Sequence, residues 1–197
     1  MKHLALSLPA LALLAACGSN TDTTTTVTNT GTLTDIVTQT GNGAQASELD
    51  NATVALPVMT GQQFADASAA SDAYEIEAGK LAQQKGTAQR IKDFGAMMVR
   101  NHTESTAKLK SAAGSASPAI VPNAKLTPEL EANLAKLRSA TREDFDTEYR
   151  TQQIMAHQTA LATLEGYQAS GDVQQLKDWA GEIVPVVRNH LDQIQGM

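Results

Sequence analysis

From residue 61 to residue 197 the apolar side chains recur every three or four positions and nowhere alternate over a strand's length. Such a chain buries its apolar surface by packing helix on helix, since a sheet needs a period of two. Stop and start signals divide the run into four main helices. Thr60 with Gln63 forms a capping box, and Phe64, Ala67, Ser71, Tyr74, Ala78 and Leu81 keep a seven-residue rhythm behind it. Gly86 closes that helix and Thr87 is placed to cap the next, whose stripe is Ile91, Phe94, Met98, Ser105 and Leu109, ending near Gly114. Pro118 and Pro122 mark residues 115–127 as a loop, and Thr127-Pro128 is a helix start with proline in the first turn. The third stretch runs to about Ala169, interrupted or redirected near Ser139 to Arg142, where its stripe changes. Ser170-Gly171 ends it, Asp172 with Gln175 reads as a capping box, and Val173, Leu176, Ala180, Val184, Val187, Leu191 and Ile194 form the last stripe. Pro185 falls inside that helix and is expected to bend it by freeing the Gly181 carbonyl. The expected fold is all-α, a four-helix bundle over residues 61–197.

The first sixty residues have a different character. Met1-Lys2-His3 is a short basic start, and Leu4 to Leu14 is apolar apart from Ser7 and Pro9. Eleven helical residues rise roughly 16 Å, too little for a bilayer core of about 30 Å, which is the layout of a secretory signal rather than a membrane span. Leu14-Ala15-Ala16-Cys17 resembles the lipobox of bacterial lipoproteins. That resemblance implies a signal peptide over 1–16, lipidation of Cys17 and attachment to a membrane through it, and Gly18 in the next position implies the outer membrane. Residues 17–60 hold thirteen threonines, no aromatic residue, and only Asp22, Asp35, Glu48 and Asp50 as charges. Such a segment buries too little apolar surface to offset its ordering entropy and is read as a disordered tether.

Composition narrows the chemistry. The net charge of −6 offers no concentration of Lys and Arg for phosphates, so no nucleic-acid partner is expected. One cysteine excludes a disulfide framework and any multi-cysteine metal site. Phosphate loops, nucleophile elbows and nucleotide-binding glycine patterns are missing from the sequence. What remains is a set of histidines. Beyond the signal there are three, His102, His157 and His190, one on each of the second, third and fourth helices, each on or beside an apolar stripe. Glu75 flanks the stripe of the first helix, whereas Glu77 points away. At 1.5 Å per residue all four fall in the middle third of a bundle of roughly 40 Å, spread over about 10 Å. Inward imidazoles on three helices and a carboxylate on the fourth are what a metal site in a bundle core needs. Imidazole nitrogens more than about 6 Å apart would exclude a shared ion, given Zn–N bonds of ~2.0 Å. The competing reading is a set of hydrogen-bonded core histidines with Glu75 as a buried partner. Met98 and Met155, close in sequence to His102 and His157, either soften the site toward copper or fill the core. Trp179 is expected to roof the His190 edge.

The run from Phe64, F-A-D-A-S-A-A-S-D-A-Y-E-I-E-A-G-K-L-A, then R-I-K-D-F-G-A-M-M-V-R-N-H-T, F-D-T-E-Y from Phe145, A-H-Q at 156–158 and V-P-V-V-R-N-H-L at 184–191 together resemble the DUF4142 family over nearly all of residues 62–195. These are ferritin-like, mostly exported bacterial proteins of unknown function. The resemblance implies a ferritin-like bundle and puts Glu75, His102, Asp146, Tyr149, His157, Pro185 and His190 at the family's motif positions. Two positions depart: the acidic residue usual before the first histidine is Asn101, and that before the second is Ala156. The E-x-x-H pairs of a carboxylate-bridged di-iron centre are also missing, since Val99, Ile154 and Val187 stand three residues before the histidines. The resulting expectation is a non-enzymatic envelope lipoprotein that binds a transition-metal ion (Cu, Zn, Fe or Mn) through His102, His157, His190 and Glu75. The alternative is an envelope interaction or stress-protection module with structural histidines.

Overall fold

The computed structural model of the protein describes residues 59–197. The predicted signal peptide, Cys17 and nearly all of the predicted tether lie outside them. Five helices follow in order: α1 (Gly61–Lys85), α2 (Gln89–Gly114), α3 (Pro128–Ser139), α4 (Phe145–Ser170) and α5 (Gln174–Gln195). The described residues contain no strand. Four long helices form the bundle, with α1 against α2 and α4, and α5 against α4 and α2. The short α3 lies across α1 and α4. The predicted third stretch is interrupted, as two helices, α3 and α4, parted by residues 140–144 where the stripe changes. None of the described helices is long and apolar enough to cross a membrane.

Some helix ends are local and others are not. Thr60 accepts from the Gln63 amide while the Gln63 side chain accepts from the Thr60 amide, as the capping box requires. Thr127 likewise accepts from the Leu130 amide, with Pro128 in the first turn. Thr87 does not cap α2, whose N-cap is Ala88 without a side-chain bond. Asp146 of α4 does that work from across the bundle: its carboxylate accepts from the amides of Thr87 (2.9 Å) and Ala88 (2.8 Å) and from the Thr87 hydroxyl. Burial works against its charge, yet these bonds hold the carboxyl below its ordinary range. Asp172 does not cap α5 either; it accepts from the Tyr167 hydroxyl at 2.8 Å, and α5 begins at Gln174 behind Val173. At the other ends, Lys85 donates to the carbonyls of Leu137, Arg138 and Ala140 and so closes α3. Arg150 does the same for α5 at Ile194 and Gln195.

The α1–α2 seam is lined by glycines. A Cβ on Gly79 would lie 2.6 Å from the Gly95 carbonyl, and one on Gly95 would lie 2.7 Å from the Gly79 carbonyl, so the two backbones touch there. The buried face of α1 is turned from the predicted one. Ala67 is exposed and Ser71 half-buried, while Ala65, Ala69, Ala70 and Asp72 are buried. Alanine occupies both faces of this helix, so its periodicity leaves the rotation loosely defined.

The apolar core is in two parts. One end holds Phe64, Leu109, Leu164, Tyr167, Leu176, Trp179 and Val187, with the Phe64 and Tyr167 rings stacked at 3.8 Å. The other holds Tyr74, Ile91, Phe94, Met98, Leu134, Leu137, Phe145, Tyr149 and Ile194. Trp179 belongs to the first, edge-on to Phe64, and not to the surroundings of His190. Met155, 61% exposed, is neither core nor near the histidines' face. Two residues before His157, it lies about 200° around the helix from it. Pro185 sits on the exposed side of α5. The buried polar residues include Asp72, Glu75, His102, Gln153, His157 and His190. They form the middle layer of the bundle.

Candidate metal centre

Each histidine reaches this layer by helical spacing. On α2, Phe94, Met98, His102, Ser105 and Leu109 share one buried face. On α4, Tyr149, Gln153 and His157 follow at intervals of four, and on α5 His190 lies between Val187 and Ile194. The three rings meet. Their centroids are 5.9 Å apart for His102–His157, 5.6 Å for His102–His190 and 5.4 Å for His157–His190. One nitrogen from each lies within 4.8 Å of one from each of the others, inside the 6 Å limit set from the sequence. An ion equidistant from three nitrogens at that upper bound would sit about 2.8 Å from each, so ring movements of under an ångström bring it to bonds of ~2.0 Å. Exposure of the three residues is 7%, 2% and 1% in chain order.

The hydrogen bonds divide the six ring nitrogens in two. His102 Nδ1 donates to Asp72 Oδ1 at 2.7 Å, and His157 Nδ1 donates to the Gln153 carbonyl at 2.9 Å. His190 Nε2 lies 2.8 Å from the Asn101 amide nitrogen. The remaining three, His102 Nε2, His157 Nε2 and His190 Nδ1, are buried and have no hydrogen-bond partner. Buried polar atoms are nearly always satisfied, so three orphaned nitrogens on rings that touch one another form a concentrated exception. A carboxylate and a backbone carbonyl can only accept, which keeps the protons of His102 and His157 on Nδ1 and leaves both Nε2 lone pairs open.

Glu75 does not join this group. Its Oε2 accepts from Gln153 Nε2 at 2.7 Å, and its Oε1 stands 3.9 Å from His157 Nδ1, on the far edge of that ring. The structure thus brings His102, His157 and His190 together and sets Glu75 behind them. Asp72, which sequence reasoning missed, is closer to the centre than Glu75: it holds His102 and also accepts from the Thr106 hydroxyl at 3.1 Å. No local signal singled it out, because alanine on both faces of α1 leaves open which side of the helix is buried. Asp146 and Tyr149 lie apart from the triad, Asp146 as the cap of α2 and Tyr149 as a ring packed on Phe94 and Phe145.

Electrostatics distinguish the three rings. Burial disfavours charge on His102, but the Asp72 hydrogen bond and the nearby Glu75 and Asp72 carboxylates outweigh it, and its pKa is raised. Burial lowers that of His157, with Glu75 opposing. Burial and the other two imidazoles push His190 down to about 3. Asp72 and Glu75 bring two carboxylates into a layer with no Lys or Arg among the buried residues. A cation held by the triad would lie beside both and offset them. The donor set is three imidazoles, a set that suits zinc, copper, iron and nickel, with one tetrahedral position left over. The Phe94 ring closes one side, 6.3 Å from His157 and 6.4 Å from His190.

Among solved structures the fold is similar to CopM in its Cu(I)-bound form, at 18% identity and a TM-score of 0.58 over 70% of this chain and 94% of that one. It is similar to CopM in its Cu(II)-bound form at 18% identity and 0.61, over 71% and 95% of the two chains. A DUF305 fragment from Deinococcus radiodurans matches at 16% identity and 0.60, over 72% and 97%. Among curated proteins none matches the sequence. The sequence model of DUF4142, a domain of unknown function, matches residues 44–197, helices, histidines and their partners included, and the chain belongs to that family.

Proposed function

We propose that the protein is an envelope metal-binding protein whose bundle holds one transition-metal ion through His102 Nε2, His157 Nε2 and His190 Nδ1. The observation that carries this reading is the set of three buried, unpartnered nitrogens on mutually touching rings. Asp72 and the Gln153 carbonyl orient two of the ligands, and Glu75 contributes charge from behind His157. Copper is the first candidate. Three imidazoles suit it, divalent copper heads the affinity order of the first-row ions, and the fold neighbour CopM was solved with copper in two oxidation states. In this reading lipidated Cys17 and the threonine-rich segment tether the bundle at the outer membrane, where an ion-binding bundle serves to buffer or sequester metal.

The experiment is metal uptake by protein purified without an affinity tag. After incubation with Cu2+, Zn2+, Fe2+ or Mn2+ in turn and dialysis, elemental analysis is expected to give one ion per chain, with copper retained best. His102→Ala and His157→Ala are expected to abolish retention. Loading at a hundred times Kd should stabilise the fold by ~2.7 kcal/mol, readable as a rise in melting temperature. No stoichiometric ion in any case would establish the histidines as structural polar groups instead.

A further inference from the structure

We infer that Asn101 is a positioning residue that sets the metal affinity of this site by choosing the tautomer of His190. The inference rests on the metal-binding reading above. His102 and His157 each face a group that can only accept, so in the neutral rings their inward nitrogens are free of protons. His190 is held differently. The Asn101 amide nitrogen, 2.8 Å from His190 Nε2, can only donate. Nε2 is therefore the acceptor, and the ring proton sits on Nδ1, the nitrogen that points unpartnered into the triad. In that tautomer His190 cannot ligate an ion.

A half-turn of the amide resolves this. It brings the Asn101 carbonyl oxygen to Nε2, which then donates, and Nδ1 is left with a free lone pair. Asn101 has room for the turn. It lines a cavity of about 190 Å³ between α2 and α5, together with His102, Ser105, Lys108, Val186 and His190. His102 and His190 line this cavity and His157 does not. An asparagine, with a donor and an acceptor on one rotatable amide, can serve both tautomers. With it, the third ligand is withheld until an ion competes for Nδ1. Affinity is accordingly lower than with an acceptor fixed at this position.

The test combines two readouts on the full bundle, wild type and Asn101→Asp. Long-range proton–nitrogen correlation spectra of the metal-free protein report each histidine's tautomer directly. His190 is expected to carry its proton on Nδ1 in the wild type and on Nε2 in Asn101→Asp, whose carboxylate only accepts. Competition titrations with Zn2+ and Cu2+ against a chelator should then show Asn101→Asp binding about 10–100-fold more tightly. Asn101→Ala, which removes both the donor and the acceptor, should show a mixture of His190 tautomers. Wild-type His190 already protonated on Nε2 would overturn the inference. So would a switched tautomer in Asn101→Asp with affinity unchanged within twofold, or a single unaltered tautomer in Asn101→Ala. A wild type that takes up no metal refutes the reading above, and with it any role of Asn101 in affinity, even where the tautomers behave as stated.

Discussion

Asp72→Asn removes one buried charge and almost no volume, which makes it the sharpest probe of how the triad is held. In the wild type the Asp72 carboxylate accepts from His102 Nδ1 at 2.7 Å and from Thr106, and the residue is 4% exposed. Hydrogen bonds to charged groups contribute ~1.5–3 kcal/mol against ~0.5–1.5 kcal/mol for neutral ones, so the exchange costs roughly 1–2 kcal/mol in holding the ring. Two further effects act in the same direction. The asparagine amide can donate to Nδ1 and so place the ring proton on Nε2, the nitrogen meant for the ion. A negative charge beside the bound cation is also lost. Together these put the loss of affinity at about 10–100-fold, the usual range for a group behind a metal-bound histidine. The assay is chelator competition with Zn2+ and Cu2+, run beside a thermal melt to show that the variant is folded. A folded Asp72→Asn protein that binds within twofold of wild type would refute the assignment of Asp72 as the group that sets His102.

Other expectations follow from the same geometry. Asp146→Ala removes three acceptor contacts at the start of α2 and should destabilise the protein by ~1–3 kcal/mol in urea titration. Asp146 lies about 16 Å along α4 from His157, so metal affinity should stay within twofold of wild type. Because the Asp146 carboxyl is held below its ordinary value, its contribution is complete above that value and is lost as pH falls through the folded one, an acid-limb loss that Asp146→Ala should lack. The histidines set a separate window. His157 and His190 are kept neutral in the fold but protonate freely when unfolded, so each withdraws up to ~1.4 kcal/mol per pH unit as pH falls below about 6.5, down to its folded value. His102, raised by Asp72, acts oppositely but in a higher window: it adds stability as pH falls from its folded value to about 6.5 and changes nothing below that. Metal-free protein should therefore lose stability from pH 6.5 to 5 by urea titration; a flat or rising profile would contradict the assignment of burial as the dominant effect on His157 and His190.

The helices were legible because their ends are written locally. Thr60 with Gln63, Thr127-Pro128, and the glycines at 86 and 171 mark boundaries that the structure keeps. Thr87 and Asp172 misled for one reason: a capping residue type shows that a helix end needs a partner, not which partner it finds. The α2 end is served by Asp146, 59 residues beyond Thr87, and only the assembled bundle sets the start of α4 against the start of α2. Inward histidines were legible too, since each lies on its helix's apolar stripe. The difference between Glu75 and Asp72 was not. Both lie on the buried side of an alanine-rich helix, and which of them meets an imidazole depends on how α1 turns against α2 at the Gly79–Gly95 contact. Ring-nitrogen partners are beyond any periodicity, and they decide which nitrogens are free.

The central claim is that His102 Nε2, His157 Nε2 and His190 Nδ1 hold one ion. Crystals of untagged protein loaded with one equivalent of copper, measured on both sides of the copper absorption edge, test it most directly. One anomalous peak per chain is expected, about 2.0 Å from each of those three nitrogens. No peak between the three imidazoles, or copper held elsewhere on the chain, would contradict it.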